Sequence, residues 1–370
     1  MKVTFVLPGF NLHGGTRIVA GYADRLRRRG HDVLVAAPPP RAPSLPARLR
    51  GLLRGRGWPR GPGRRPSHFD GLDIPCRTLD RWRPVEDRDL PDADVVVATW
   101  WLTAEWVARL SSRKGAKSYL IQMHEAAVEG MPAERVEATW RLPLRKIVVS
   151  RWLAELARDH FGVDDVALVP NAVDLEVFHA EPRDKRPEPT VGLLYSHERH
   201  KATDLVLRAL DGVTARVPGL RVVAFGIPPV DDRLPLPPGA SYRRSPPQDR
   251  LRTIYERCDV WVSGSTFEGF NLPPLEAMAC RCPVVSTRNG AMPDLIEDGV
   301  NGHLVDVGDL DALTDRTARV LELPAAAWRA MSDAARRTAA RYTWDDATDL
   351  FEAALRSAVD HHRAGSYSNA

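Results

Sequence analysis

Only four cysteines occur in this chain, Cys76, Cys258, Cys280 and Cys282, with no CxxC pair and no zinc-ligand spacing. That excludes a disulfide scaffold or a zinc ribbon and predicts reduced, buried thiols in a cytosolic protein. No run approaches eighteen uninterrupted apolar residues, so no transmembrane helix is expected. The opening Met1-Lys2-Val3-Thr4-Phe5-Val6-Leu7 is too short for a signal-peptide core and reads as a first strand. No period of 20–50 residues repeats, which excludes a solenoid. Acidic residues are missing between Asp32 and Asp70, where Arg41, Arg48, Arg50, Arg54, Arg56, Arg60, Arg64 and Arg65 all fall. The stretch is rich in proline and glycine and reads as a long loop with one short helix, Ala47–Leu53. Two readings fit it: a solvated insertion, or a basic patch over residues 41–65 for an anionic membrane surface or an anionic acceptor. Nucleic acid is disfavoured, because aromatic residues are sparse there and no binding motif occurs.

What is present is a globular composition, 44% hydrophobic and 27% charged over 370 residues, with a net charge of only +4. That length suggests two domains. Continuous apolar runs predict strands at Lys2–Leu7, His31–Ala37, Asp94–Thr99, Ser118–Gln122 and Lys146–Ser150. The spacing of Ile18, Val19, Tyr22 and Leu26 predicts a helix over Thr16–Arg29, stopped by Gly30. A second series of strands is predicted at Thr190–Tyr195, Arg221–Gly226, Asp259–Ser263, Pro283–Ser286 and Gly302–Val305. Helices are predicted between them at Ala202–Leu210, Gln248–Arg257 and Leu272–Cys280, with Leu310–Leu321 following. Continuous rather than alternating strands argue for parallel sheets covered on both faces. The charged, proline-rich stretch 178–189 separates the two series and reads as a linker. The pattern is that of two doubly wound α/β halves.

Four stretches carry candidate chemistry. Pro8-Gly9-Phe10-Asn11-Leu12-His13-Gly14-Gly15-Thr16 follows a strand and opens a helix. Its paired glycines permit positive φ and close backbone approach to an anion. It is not G-x-G-x-x-G, which disfavours a dinucleotide cofactor. Tyr195-Ser196-His197-Glu198-Arg199-His200-Lys201-Ala202 leaves the first strand of the second half, where Lys201 can reach a phosphate as a point charge and Arg199 through its fork. The same run also fits an ordinary charged surface. Tyr119-Leu120-Ile121-Gln122-Met123-His124-Glu125 brings His124 to the carboxyl end of a strand, where open α/β sheets bind ligands. A lone histidine can equally be structural, and Glu125 can be a helix-start acid. The most specific string is Phe267-Glu268-Gly269-Phe270-Asn271-Leu272-Pro273-Pro274-Leu275-Glu276. The prolines suit the first positions of a helix, and amides of Gly269, Phe270, Asn271 and Leu272 can face an anion. Glu268 on the loop and Glu276 on the helix can each accept from vicinal hydroxyls.

This last string resembles the E-x7-E signature of the GT4 family of retaining glycosyltransferases. The resemblance implies the GT-B fold, an α/β architecture of two Rossmann-like doubly wound domains facing each other across a cleft. It implies an acceptor-side domain over 1–177, a linker over 178–189 and a nucleotide-sugar donor domain over 190–343. A C-terminal helix crossing back to the first domain and a polar tail would fill 344–370. Val169-Pro170-Asn171-Ala172-Val173-Asp174 and Tyr342-Thr343-Trp344-Asp345-Asp346 resemble the family's segments before the hinge and at the final helix. By the resemblance Glu268 contacts the donor sugar, Glu276 the nucleotide ribose, and Gly14 and Gly15 the donor diphosphate. His124, Glu268 and Lys201 are the implied catalytic set. The chain departs from the family at three points: Tyr195 or Ser196 stands where an arginine is usual, and Ala202 and Asn271 where glycine is usual. Arg199 is a candidate substitute for that arginine.

The expected activity is metal-independent transfer of a sugar from a nucleoside-diphosphate sugar to an acceptor hydroxyl, with that sugar nucleotide as co-substrate and no cofactor. Asp92-Ala93-Asp94 could be taken for a metal-binding DxD, but solvation of a strand start explains it. Trp100-Trp101 suits either an acceptor pocket or packing. The expected location is cytoplasmic, with peripheral contact at the inner membrane face if the basic patch binds lipid. A sugar-nucleotide-binding protein without transfer activity, and a nucleotide-sugar epimerase, are the rival readings.

Overall fold

A computed structural model describes residues 1–41 and 66–365. The expected helix Ala47–Leu53 and the basic stretch beyond Arg41 lie outside the described residues. By internal contacts the chain divides into two compact units. One comprises Met1–Val148, Leu156–Val169 and Thr348–Ala370; the other Val149–Glu155 and Pro170–Ala347.

The first unit runs β1 (Lys2–Val6), α1 (Gly14–Arg28), β2 (Asp32–Ala37), β3 (Cys76–Thr78), β4 (Val95–Ala98), α2 (Trp101–Ala108), β5 (Ala116–Ile121), α3 (Ala133–Ala138), β6 (Arg145–Val148), α4 (Arg151–Phe161) and β7 (Val166–Leu168). Its sheet has the order β3-β2-β1-β4-β5-β6-β7 and is parallel throughout. Val3 pairs with Val33 on one side and Val95 on the other, so β1 divides the two directions of winding. β4 is buried along its whole length, as an apolar strand covered on both faces must be. Phe351, near the C-terminus, stacks on Tyr22 with ring centres 4.2 Å apart. Arg29 pairs with Asp349 at 2.5 Å and His31 with Glu352 at 3.1 Å on the same face.

The second unit runs β8 (Thr190–Leu194), α5 (Thr203–Arg216), β9 (Arg221–Gly226), β10 (Ser241–Arg244), α6 (Gln248–Tyr255), β11 (Val260–Ser263), α7 (Leu272–Ala279), β12 (Val284–Thr287), α8 (Met292–Leu295), β13 (Gly302–Val305), α9 (Leu310–Glu322) and α10 (Ala325–Ala339). The closing helix α11 (Trp344–Arg363) begins here and continues into the first unit. The sheet order is β10-β9-β8-β11-β12-β13, again parallel. The winding reverses between β8 and β11, the place where such sheets bind ligands at their carboxyl ends.

The ten predicted strands are present within a residue or two of their expected bounds, and both sheets are doubly wound. β3, β7 and β10 were not predicted. All three are edge strands of three or four residues, and β3 and β10 are largely exposed, so no apolar run marks them. Cys76 lies on β3 and is exposed, whereas Cys258, Cys280 and Cys282 are buried. The expectation of four buried thiols therefore fails at the sheet edge. The proline-rich stretch 178–189 is fastened to the second unit. Arg183 reaches the fully buried Asp259 at 2.9 Å, and the amides of Arg186 and Thr190 donate to the same carboxylate at 3.1 and 3.0 Å. Lys185 donates to the carbonyls of Leu321 and Leu323. A buried carboxylate satisfied on both oxygens ties down its partners at little net cost.

Candidate active site

The reversal point of the second sheet brings together the loops that follow β8 and β11. Lys201 ends the first loop and Glu268 lies in the second. The Lys201 ammonium contacts both carboxylate oxygens of Glu268, at 2.7 and 3.0 Å. Ser265 donates to Oε1 of the same group at 2.8 Å. The Glu268 side chain is 4% exposed and that of Lys201 18%. A carboxylate so deeply placed needs the cation; stripping one partner from such a pair leaves an uncompensated buried charge. Two further contacts hold the loops together: the Thr266 amide donates to the His200 carbonyl at 2.7 Å, and the His200 ring lies over Phe267 with centres 4.9 Å apart. Burial, reinforced by Lys201, holds His200 below its ordinary pKa.

The two residues standing where the family has glycine both adopt left-handed backbone: Ala202 at φ 44° and Asn271 at φ 76°. The geometry glycine would supply is thus retained with side chains that tolerate it less well. Asparagine is comparatively frequent there, whereas alanine carries a cost of about 1–2 kcal/mol. Asn271 Nδ2 donates to Ser263 Oγ at 3.0 Å, so its amide is turned back toward β11. Gly290, at φ +53°, sits directly behind the Glu268 loop. A Cβ there would come within 3.0 Å of Glu268 Cβ and 3.2 Å of the carbonyls of Glu268 and Phe270. Thr287 Oγ1 donates to the Ser265 carbonyl at 2.6 Å, and Ser150 and Trp152 donate to the Gly269 carbonyl at 2.7 and 3.1 Å. Sequence reasoning passed over Gly290, Ser265, Thr287, Ser150 and Trp152. The Asn289-Gly290 pair was the one local signal.

α7 begins as its sequence dictates, with Pro273 and Pro274 in its first turn and no side chain capping its amides. Glu276 is the fifth residue of the helix, past the first turn, so an N-terminal helix acid is not its explanation. It is 3% exposed, and its Oε2 accepts from Tyr255 Oη at 2.8 Å. Phe270 is buried, with its ring edge-on to Tyr342. Tyr195 points away from the site: it is fully buried, donates to the Leu234 carbonyl at 2.8 Å and accepts from the Asp231 amide at 2.9 Å. Ser196 is bonded to Thr203 and to the amide of Glu198. Neither stands in for the missing arginine, while Arg199 is exposed on the same turn as Lys201.

In the first unit, Gly14 and Gly15 form the first turn of α1, which carries neither an acid nor a side-chain cap. Neither uses the positive φ that glycine permits. The requirement at Gly15 is space, since a Cβ there would lie 3.2 Å from the amide of Gln122. That contact sets the turn beside the carboxyl end of β5, where His124 follows. The His124 ring lies against Trp140 and Phe161, with centres 6.1 and 5.9 Å away, and burial lowers its pKa. Glu125 is buried beside it.

The DxD-like pair is split in use. Asp92 binds Lys114 at 2.9 Å, and Asp94 accepts from the Lys2 amide at 2.7 Å. Among the described residues no group of three His, Cys, Asp or Glu side chains is arranged to hold a metal ion. Trp101 is buried under the Arg135 guanidinium, which lies 5.1 Å from its ring centre. Trp100 is half-buried beside it. Among the described residues no helix is long and apolar enough to cross a membrane.

Comparison with known proteins agrees with this arrangement. Residues 12–177 match the pattern described as Glycosyltransferase Family 4, and residues 189–323 that described as Glycosyl transferases group 1. The D-inositol 3-phosphate glycosyltransferase of Mycobacterium avium (strain 104) is 31% identical over 306 residues, 72% of this chain and 70% of that protein. Sucrose-phosphate synthase from Thermosynechococcus elongatus superposes with a TM-score of 0.73 at 16% identity, covering 96% of this chain and 98% of that one. Anabaena HepE in complex with UDP-glucose gives 0.71 at 18% identity, covering 96% and 100%. At these identities the structural likeness establishes the fold, GT-B, and nothing finer.

Proposed function

The chain belongs to glycosyltransferase family 4 and is a glycosyltransferase; from that premise we propose that it moves a sugar from a nucleoside-diphosphate sugar to an acceptor hydroxyl, with retention and without a metal. The single observation that carries this reading is the buried Lys201–Glu268 pair at the winding reversal of the second sheet. Its anion can accept from sugar hydroxyls, and its cation can be shared with a diphosphate. Glu268 takes the sugar hydroxyls and Glu276 the ribose, with Tyr255 fixing its carboxylate. Lys201, Arg199 and the amides of Gly269–Leu272 take the diphosphate. In the first unit, taken by itself, Gly14 and Gly15 present uncapped helix amides that suit an anion, and His124, its pKa lowered by burial, suits a sugar hydroxyl. In the reaction the bond from the anomeric carbon to the leaving phosphate oxygen breaks. The acceptor oxygen bonds to that carbon on the same face, and the acceptor proton passes to the departing diphosphate. Charge gathers on the diphosphate as the bond breaks, so preorganised donors there lower the barrier.

The test is release of nucleoside diphosphate from a panel of sugar nucleotides, with and without EDTA. UDP-glucose comes first because a structural neighbour is bound to it, and an inositol phosphate is the first acceptor because relatives are named for it. Turnover that survives chelation is expected. Abolition by EDTA removes the metal-free part, and absence of turnover on every donor and acceptor removes the transfer itself.

A further inference from the structure

Glu125 has no part in the reaction just described, yet its position is unusual. It is 7% exposed, and its Oε2 has no hydrogen-bond partner among the described residues. It opens a single tight turn, Glu125–Ala127, directly after His124. The turn is closed by the Ala127 amide donating to the His124 carbonyl at 3.1 Å and the Val128 amide donating to the Glu125 carbonyl at 3.1 Å. α3 packs on it. Three more buried polar atoms nearby also lack partners: Tyr119 Oη, His124 Nδ1 and Trp140 Nε1. The rings of Trp140 and Phe161 stack 4.8 Å apart and flank His124.

Of the titratable groups around the turn, the Tyr119 phenol alone favours an ionised Glu125 carboxyl, and burial outweighs it. Tyr119 from β5 is fully buried, and its phenol is held well above the ordinary value by burial and by Glu125. Glu137 from α3 and His160 from α4 act on His124. Arg141 lies over the Phe161 ring, 5.4 Å from its centre. Among the described residues no cation is paired with the Glu125 carboxyl, in contrast to Glu268. An ionised carboxyl buried in this way would have to be hydrated, and the turn would have to open to admit water.

We propose that Glu125 is a positioning residue for His124, holding the turn after β5 closed while its carboxyl is protonated and releasing it when that proton leaves to water. The proposal rests on the reading of His124 given above. Burial pushes the Glu125 carboxyl up to about 8, with its own backbone amide and Tyr119 opposing only in part. The acid is therefore neutral at pH 7, and the change falls in an accessible alkaline range.

Two readouts on the full chain test this. The first is the pH profile of nucleoside diphosphate release for wild type, E125Q and E125A. Wild-type turnover should fall above about pH 8, as the carboxyl ionises. E125Q, neutral at every pH, should stay within about twofold of wild type at pH 7 and lose that fall. E125A should be impaired throughout. The second readout needs no substrate: the ring NMR signals of His124, assigned with His124→Gln, should step near pH 8 in wild type and not in E125Q. An alkaline fall that survives in E125Q, or His124 signals that do not step in wild type, overturns the proposal. If no donor turns over but the step is present and E125Q removes it, the functional reading fails and the action of Glu125 on His124 stands.

Discussion

Two buried glutamates follow strands of the two sheets, and the molecule treats them in opposite ways. Glu268, after β11, has a lysine against both oxygens and a serine on one of them. Glu125, after β5, has no cation paired with it among the described residues, and its buried Oε2 has no hydrogen-bond partner there. On the proposed reading the first is a charge held ready for use, and the second is an acid kept neutral, whose ionisation is a structural event. On that reading the same side chain at topologically similar places does electrostatic work in one unit and shape-keeping in the other. What separates them is a lysine 67 residues away in sequence.

The largest effect expected is catalytic. E268Q keeps the shape of Glu268 and loses its charge, so turnover should fall by about a hundredfold or more with the fold intact. Full activity would take Glu268 out of the site. Stability gives the next contrast. K201A strands the buried Glu268 carboxylate and should cost about 3 kcal/mol in denaturant unfolding, most of it recovered in the K201A/E268Q double variant. If the two losses simply add, the pair is not coupled.

Loop backbone comes third. G290A combines a left-handed φ with a Cβ pressed on the Glu268 loop, and should cost about 2 kcal/mol and depress turnover. A202G relieves the opposite mismatch and should gain up to about 1 kcal/mol without loss of activity. Equal thermal shifts of the same sign in both would show that φ is not the issue.

The last contrast, at Glu125, is spread over pH rather than concentrated at one condition. Its folded carboxyl keeps its proton up to about pH 8, while in the unfolded chain it ionises in the ordinary carboxylate range. Between those limits unfolding releases a proton, so stability is fully present below that range. It declines as pH rises, by at most about 1.4 kcal/mol per pH unit, and levels off above pH 8. The difference in unfolding free energy between wild type and E125Q should trace that decline. A difference that does not change with pH would mean that Glu125 is ionised throughout.

Much of this fold was legible because its strands are continuous apolar runs. Val95-Val96-Val97 and Val284-Val285 announce buried parallel strands without any tertiary knowledge. The edge strands β3 and β10 were not legible, since Cys76-Arg77-Thr78 and Ser241-Tyr242-Arg243-Arg244 look like loop. Within the site, the Glu268–Glu276 string was visible through its spacing and its prolines. The Lys201–Glu268 contact was not, because nothing local in either loop encodes a pairing between β8 and β11. The departures at Ala202 and Asn271 were visible as residues, but their meaning, left-handed backbone retained without glycine, needed φ. Tyr195, one of the two residues standing where the family has arginine, could not be placed from sequence, which gives no direction to a side chain; this one turns inward to hold the Asp231–Leu234 turn.

The most direct test of the central claim is nucleoside diphosphate release from a sugar-nucleotide panel, measured side by side for wild type and E268Q with an acceptor present. The account predicts release and a glycosylated product with wild type, and a loss of about a hundredfold in E268Q with the protein still folded at the assay temperature. Equal turnover by the two proteins on a donor that wild type uses would contradict it.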